Sequence, residues 1–460
     1  MLSRFKAALQ AINASYWFFP AMFVVAAFLL AFVTTWLDHN GYGSWLKDTG
    51  FYQLARPEGA SNMLSVIATV MISVAATVFS ITIAAVAYAS GTYGPRLLNN
   101  FMEDRGNQLS LATFLGTFVF ALTVLRTVRT GDEPAVKIMA NTVQAGVSGS
   151  GAVDTGFVPQ ISLLVAYSLM GISVGVLVFF LNHIPASIRI NTVLQGIGKR
   201  LIAAIEDMFP RASTGQIEMK APDGQPIRAT QTGYIQIIDF EGLNDIAQRN
   251  DTILKLAVRP GHFVHPGIAL AYWPFESEDI GDTDDGGGRP DKMGDEVRNC
   301  FALGGMRTPA QDLHFLIDEL VEIGMRALSP GINDPFTAVT SIHWLGAAIA
   351  EMGGRDLTRS FGGAENADDD CLILLDDGFA HYLGRSFGAM RSAVSTSTTA
   401  SIITFNTLAK AAVILNDATR HKDIVKEGHQ LMRQARENLT GPDLEMVEAR
   451  YRRFEKTMDV

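Results

Sequence analysis

The sequence predicts a membrane protein with four transmembrane α-helices followed by a cytoplasmic α+β domain. Two observations predict this fold class. Four apolar runs, each of about 20 residues or more, lie before residue 185, and a run of that length spans a bilayer. Beyond residue 210 the apolar residues first alternate, as in strands, and then recur at helical spacing, which predicts a small β-module followed by a helical bundle.

Composition and charge agree with this division. The chain is 48% hydrophobic and only 18% charged. Residues 1–209 hold 12 Lys and Arg against 10 Asp and Glu, whereas residues 210–460 hold 25 against 37. The domain beyond residue 210 is acidic and has no basic stripe, which argues against a nucleic-acid partner. The expected partner of the apolar half is the lipid bilayer, because its long apolar runs suit a membrane.

The transmembrane domain is predicted to occupy residues 1–185. Trp17 and Trp36 lie near the ends of the first run, where interfacial aromatic residues are expected. The predicted spans are 16–37, 63–90, 109–128 and 161–181.

The flanking charges predict the orientation of the spans. Seven Lys and Arg residues flank the side that carries the N-terminus, against four or five on the other side. We therefore expect a multi-pass membrane protein with both termini in the cytoplasm. The two cysteines, Cys300 and Cys371, suit a reducing compartment. The N-terminus lacks a signal-peptide pattern, so the first run is expected to remain as a helix.

The second predicted span carries small or hydroxyl side chains along one helical stripe. Two interpretations are open: close packing against another helix, or the lining of a pore in an oligomer. The stripe comprises Ser73, Thr77, Ser80, Ala84, Ala87 and Gly91.

The connector after the second span begins with glycine and proline. Gly91 and the pair Gly94-Pro95 are predicted to end the helix. The following segment, which begins at Arg96, is amphipathic and suited to the membrane interface. Arg126 lies near the end of the third span.

The next three segments are assigned by their patterning. Residues 186–210 are predicted to form a helical connector that continues from the fourth span, 211–275 a small β-module, and 276–300 an acidic flexible loop. His262 and His265 could bind a metal, but no third ligand is evident, so we predict ordinary polar roles and no metal site. The segment from Arg259 to Trp273 is predicted to form a strand, a tight turn and a strand. No lysine lies at the tip of this hairpin, where a cofactor could be attached, so no cofactor is expected.

Residues 301–460 are predicted to form a helical domain. Thr308 is predicted to N-cap the first helix of this domain, with Gln311 completing a capping box. Asp334 is predicted to N-cap the second helix, with Pro335 in its first turn. Ser329, Asn333 and Asp334, together with His314, could form a ligand site near a helix start, although turn and capping chemistry also explain the SPGIND stretch.

Three stretches together resemble a known family. They are SGTYGPRLLNNFMEDRGNQ (90–108) with LRTVRT (125–130), which includes Arg129, GYIQIID with RPGHFVHPG, and RALSPGINDPFTA (326–338). They are similar to bacterial inner-membrane proteins catalogued as domain of unknown function 2254. The resemblance implies a four-helix membrane part and a cytoplasmic domain, and no activity.

The sequence contains no G-x-S-x-G, Walker, H-E-x-x-H or Rossmann motif. The leading hypothesis is a homo-oligomeric channel, with the second span lining it and the cytoplasmic domain assembling or gating it. The alternative is a membrane-anchored sensor or scaffold that binds a ligand or partner. A membrane-bound enzyme ranks last. The sequence leaves open whether the protein conducts or binds ions or a small ligand.

Overall fold

The computed structural model describes residues 16–42, 57–94, 104–129, 157–209, 211, 224–273, 292–357, 371–375, 377–415 and 417–458. The chain divides into two compact units. We call Ile12–Ala89 with Leu98–Ile188 the membrane unit. We call Met1–Ala11, Ser90–Leu97 and Arg189–Val460 the α+β unit.

Four helices long and apolar enough to cross a membrane confirm the predicted spans. They are α1 (Phe18–His39), α2 (Pro57–Tyr93), α3 (Arg105–Leu125) and α4 (Gln160–Ser187). Helix α2 is longer than predicted because it continues through Gly91, so the expectation that Gly91 breaks the helix is wrong. One glycine inside a helix costs only about 1 kcal/mol, which a long apolar helix tolerates. Gly94, at φ 124°, follows the helix end.

Apolar side chains from all four helices form the core of the membrane unit, with Phe114, Phe120 and Phe180 fully buried. Two carboxylates make polar contacts at the helix ends. The Asp38 carboxylate accepts the backbone N–H groups of Ile161 and Ser162 at 2.8 and 3.0 Å, and so satisfies the first turn of α4.

A second polar contact within this unit joins the start of α3 to the end of α4. Asp104 N-caps α3 by accepting the Gly106 N–H at 2.8 Å, and its other oxygen lies 2.8 Å from His183 Nε2. Helix ends are thus paired by carboxylates. The helix centres pack mainly through apolar side chains, and one buried hydrogen bond of 3.0 Å joins the hydroxyl groups of Thr117 in α3 and Ser173 in α4.

The predicted continuous helix from the fourth span into the connector is interrupted. Helix α4 contains Pro185 and ends at Ser187, and α5 begins at Ile190 and runs to Met208. Arg189 between them is extended, with ψ at 123°. Phe209 is the C-cap of α5, so this helix ends next to the predicted end of the connector at residue 210.

The β-module consists of two small sheets. The strands are β1 (Gln225–Arg228), β2 (Gly233–Ile238), β3 (Leu254–Leu256), β4 (Phe263–Val264) and β5 (Ala269–Trp273), with helix α6 (Phe240–Arg249) after β2. Strand β2 matches the predicted GYIQII strand, and its alternate residues Gly233, Ile235 and Ile237 are buried, as the alternation of apolar residues requires.

Both sheets also take strands from later in the chain. Strand β6 (Phe301–Gly304) pairs antiparallel with β2, and β7 (Leu372–Ile373) pairs parallel with β3. The sheet orders are β1-β5-β3-β7 and β4-β2-β6. Segments expected to belong to the helical domain therefore complete the β-module, because its short strands need neighbours to satisfy their backbone groups.

Helices account for most of the remaining described chain. They are α7 (Lys292–Asn299), which lies in the predicted acidic loop, α8 (Leu313–Ala327), α9 (Pro335–Gly353), α10 (Phe379–Leu383), a π-helical turn (Gly384–Gly388), α11 (Ala389–Val394), α12 (Thr398–Ala412), α13 (Ala418–Asn438) and α14 (Gly441–Thr457). Helix α9 packs against α5, α8 and α12 and forms the centre of this bundle.

The predicted cap at Thr308 is wrong, because Asp312 caps α8. Gln311, expected in a capping box, instead accepts the Ile238 N–H at 2.8 Å and donates to the Ile238 carbonyl at 3.2 Å. This contact holds residues 308–311 against β2, outside the helix. The predicted Asp334 cap and Pro335 in the first turn of α9 are confirmed.

Candidate functional site

Ionisable side chains from three separate segments converge in the α+β unit. Arg259 follows β3, His314 lies in the first turn of α8, and Asp377 and His381 lie at the start of α10. We call His314, Asp377 and His381 the histidine centre. Within the described part of the chain, these three form the group whose metal-binding atoms all lie within 4.8 Å of one another.

The donor atoms of the histidine centre face one another. Nε2 of His314 lies 3.1 Å from Nε2 of His381. Asp377 Oδ2 lies 3.4 Å from His314 Nε2, and Asp377 Oδ1 lies 3.6 Å from His381 Nε2. Two imidazoles and a carboxylate thus direct their lone-pair positions into one small volume.

Local structure fixes each member of the centre. The Asp312 carboxylate accepts the Phe315 N–H at 3.1 Å, which caps α8 and places His314 in its first turn. The His314 ring stacks on Tyr382 at a centroid distance of 5.2 Å. Asp377 lies two residues before α10 and His381 lies within this helix, and their side chains meet with Asp377 Oδ1 3.6 Å from His381 Nε2.

Ion pairs surround the centre. Arg385 binds both oxygens of Asp318 at 2.8 Å, and Arg307 donates to Asp318 and Asp312 at 2.7 and 2.8 Å. Arg259 pairs with Asp377. These three guanidinium groups and three carboxylates balance in charge, so the network as a whole is neutral.

The surroundings keep both imidazoles uncharged. Burial, together with the charges of the neighbouring Arg259 and Arg385, lowers the pKa of His314 to about 2. Burial and the same two arginines also lower the pKa of His381. At neutral pH both rings therefore offer lone pairs rather than positive charge.

Solvent reaches the centre from one side. The His314 side chain is 5% exposed and that of Asp377 11%, whereas that of His381 is 39% exposed. His381 is therefore the member of the centre that is most exposed to solvent.

The predicted stripe on the second span lies on the surface of the membrane unit. All six residues, Ser73, Thr77, Ser80, Ala84, Ala87 and Gly91, are exposed. The buried face of α2 is a different one, formed by Leu64, Ile67, Met71, Ala75 and Val78. Among the residues that the structure describes, the stripe is therefore not covered by another helix, and its lining of a pore stays a prediction.

The hydroxyl groups on this stripe bond to their own helix. Ser73, Thr77 and Ser80 donate to the carbonyls of the residues four positions earlier at 2.8–2.9 Å. Because these bonds satisfy the hydroxyls in any apolar medium, the stripe is compatible with lipid, with another helix or with water.

The second predicted site has clear structural roles. Ser329 donates to the Arg326 carbonyl at 2.6 Å, Asn333 adopts a left-handed backbone with φ at 49°, and Asp334 accepts the Thr337 N–H at 3.2 Å. Ligand binding there stays a prediction.

The remaining predicted positions are scattered. Pro95 and Arg96 lie outside the described residues. Arg126 and Arg129 are exposed, and the Arg129 N–H donates to the Phe157 carbonyl at 3.1 Å. His265 is exposed, and its Nδ1 donates to the Pro266 carbonyl at 3.0 Å.

Sequence reasoning missed Asp377 and His381 and treated His314 only as a polar residue near a helix start. His314 and His381 are 67 residues apart, so no short motif joins them. The local signal that could have drawn attention was Asp377-x-x-x-His381, which places a carboxylate and an imidazole four residues apart.

Comparisons with known proteins match most of the chain. A family described as "Predicted membrane protein (DUF2254)" matches residues 13–410. Uncharacterized proteins of Mycobacterium bovis and of two Mycobacterium tuberculosis strains are each 27% identical over 366 residues, 78% of this chain. The aligned part spans 64% of the length of these relatives. No solved structure matches the chain.

Proposed function

We propose a function from the premise that this chain belongs to the DUF2254 family of predicted membrane proteins. The protein is a membrane-anchored sensor: four helices hold it in the bilayer, and its α+β unit binds a small ligand at the histidine centre. The proposal is carried by one observation, the convergence of two imidazoles and a carboxylate beside the partly exposed His381.

The position of the centre suits a sensor because it joins separate parts of the α+β unit. Arg259 comes from the β-module, His314 from α8, and Asp377 and His381 from the start of α10. A ligand that bridges these segments favours the conformation in which they meet, and so shifts the population toward it.

Thermal unfolding of the full-length protein in lipid nanodiscs tests the proposal. The probes are Zn²⁺, Co²⁺, inorganic phosphate, ATP and citrate, each added alone. A ligand at about 100 times its dissociation constant stabilises by about 2.7 kcal/mol, which raises the midpoint by several degrees. We expect at least one probe to do so in the wild type but not in His381→Ala. His265→Ala, which removes an exposed histidine elsewhere, is the matched control.

The sensor proposal is wrong if no probe raises the midpoint. It is equally wrong if every shift is the same in the wild type and in His381→Ala, because the ligand would then bind elsewhere.

A second candidate function is an oligomeric channel. It is favoured by the exposure of the hydroxyl stripe on α2, which leaves that face open to a second copy or to water. Planar-bilayer recording on purified protein tests conduction, and crosslinking in mild detergent tests assembly. A strictly monomeric species at all concentrations would remove the channel candidate.

Both termini are proposed to be cytoplasmic, from the bias of Lys and Arg flanking the spans. A topology reporter fused after Val460 should report the cytoplasm. A periplasmic signal would reverse the orientation and place the histidine centre in the periplasm.

A further inference from the structure

We infer that His314, Asp377 and His381 bind one divalent transition-metal ion of the Zn²⁺ and Co²⁺ type, with one coordination position left open. This inference rests on the proposed function, because it names the class of ligand that the sensor site takes. Two nitrogen donors and one oxygen donor are a ligand set found at zinc sites that keep an open position.

The donor atoms lie close enough to share one ion. Bonds of about 2.0–2.1 Å from the metal to nitrogen or oxygen give tetrahedral edges of about 3.3–3.4 Å. The two Nε2 atoms lie 3.1 Å apart, Asp377 Oδ2 lies 3.4 Å from His314 Nε2, and Asp377 Oδ1 lies 3.6 Å from His381 Nε2. With one ligand atom from each residue, all three atoms lie within 4.8 Å of one another, so a rotation of the Asp377 carboxylate is needed to bring one oxygen close to both nitrogens.

The charges around the centre balance one another, so the donor atoms of the centre decide which ligand binds. Each nearby guanidinium already holds a carboxylate: Arg259 that of Asp377, Arg307 those of Asp312 and Asp318, and Arg385 that of Asp318. The donor atoms that face one another across the centre are instead lone-pair donors. A cation binds all three of them at once, whereas an anion would meet the Asp377 carboxylate.

A second layer of contacts orients the donors, as in known metal sites. Arg259 holds the Asp377 carboxylate, and the Asp312 carboxylate lies 4.0 Å from Nδ1 of His314, on the side of the ring away from the centre. Tyr382 stacks on the same ring. The partly exposed His381 gives the ion a path of entry and leaves room for water at the open position.

The kind of ion follows from the donors. Imidazole favours zinc, cobalt, nickel and copper, whereas calcium and magnesium prefer sites made of oxygen. Co²⁺ is the useful probe, because a tetrahedral Co²⁺ ion absorbs visible light strongly and Zn²⁺ displaces it.

The experiment uses the full-length protein in lipid nanodiscs after treatment with a chelator. Co²⁺ is titrated while visible absorption is recorded, and bound metal is counted by mass spectrometry after dialysis. We expect one Co²⁺ per chain with a tetrahedral spectrum that Zn²⁺ abolishes. His381→Ala should weaken Co²⁺ binding by at least roughly 100-fold, since even the loss of an outer contact costs 10- to 100-fold.

Two further variants separate loss of a ligand from loss of the fold. His381→Cys supplies a thiolate in place of the imidazole, so Co²⁺ should still bind and the spectrum should gain a sulfur-to-cobalt band. His265→Ala should bind Co²⁺ as the wild type does. Thermal unfolding in the absence of metal shows whether each variant is folded.

Equal Co²⁺ affinity in the wild type, His381→Ala and His381→Cys would overturn the metal inference. So would the absence of Co²⁺ and Zn²⁺ binding. If phosphate, ATP or citrate then stabilises the wild type but not His381→Ala, the sensor proposal stands and only the metal is wrong. If no probe does so, both fail.

Discussion

Two glycines of the β-module allow a matched test of how this module is held against α8. Gly261 and Gly267 both have positive φ, at 88° and 98°. An alanine side chain at Gly261 would overlap the Asp312 carboxylate, whereas at Gly267 it would meet no described atom within 4 Å. Replacing each by alanine therefore imposes similar backbone strain, but only Gly261→Ala displaces the residue that caps α8.

The expected changes in the free energy of unfolding follow from the backbone strain at both glycines and from the overlap with Asp312 at Gly261. Left-handed backbone costs an alanine about 1–2 kcal/mol, and a less flexible unfolded chain returns about 0.4–1 kcal/mol. Overpacking against Asp312 adds about 1–3 kcal/mol at Gly261 only. We expect Gly267→Ala to lower the free energy of unfolding by about 1 kcal/mol and Gly261→Ala by about 2–4 kcal/mol.

Thermal unfolding of the full-length protein in nanodiscs, followed by tryptophan fluorescence, measures the difference. At roughly 2–4 °C per kcal/mol, the midpoint of Gly261→Ala should lie about 2–12 °C below that of Gly267→Ala. Gly261→Ala should also weaken Co²⁺ binding, because Asp312 positions His314. Equal midpoints for the two variants would refute the reasoning, since they would show that Asp312 moves aside without cost.

Three further predictions test other parts of the molecule. Asp334→Ala should lower the free energy of unfolding by about 1 kcal/mol, because the cap of α9 is lost. Asp334→Asn should keep the wild-type free energy of unfolding, because the asparagine can still accept the Thr337 N–H. If Asp334→Ala instead keeps full stability and loses ligand binding, a ligand site at Asp334 is favoured. Ser80→Leu should leave assembly intact and reduce conductance if the α2 stripe lines a pore, whereas dissociation of the oligomer would favour a packed interface. Glu427→Ala should lower the free energy of unfolding by about 2–4 kcal/mol, because it leaves the partly buried Arg391 without the bidentate partner that it holds at 2.6 and 2.7 Å. Replacing both residues by Met and Leu should restore stability. An unchanged free energy of unfolding in Glu427→Ala would show that the ion pair contributes little.

Local chemistry determined the elements that the sequence predicted correctly. The four spans follow from run length alone, because a bilayer leaves few other structures for 20 apolar residues. Strand β2 follows from its alternation, and the start of α9 follows from Asp334 and Pro335, whose capping roles depend only on residues within one turn.

The errors lie where distant contacts decide. Thr308 has the residues of a capping box around it, yet α8 begins after Asp312 because Gln311 bonds to the backbone of Ile238. Strands β6 and β7 were assigned to a helical domain because two to four residues carry too little pattern to identify a strand. Their partners in β2 and β3 fix them as strands.

The sequence by itself determined that this chain has four membrane-spanning helices followed by an α+β part, since run length, alternation and capping act within a few residues. Only the tertiary structure decided the candidate site. His314, Asp377 and His381 meet because α8 and the start of α10 pack together, with Arg259 of the β-module paired to Asp377. The position of each ligand depends on packing between segments 67 residues apart, and no local pattern encodes that distance.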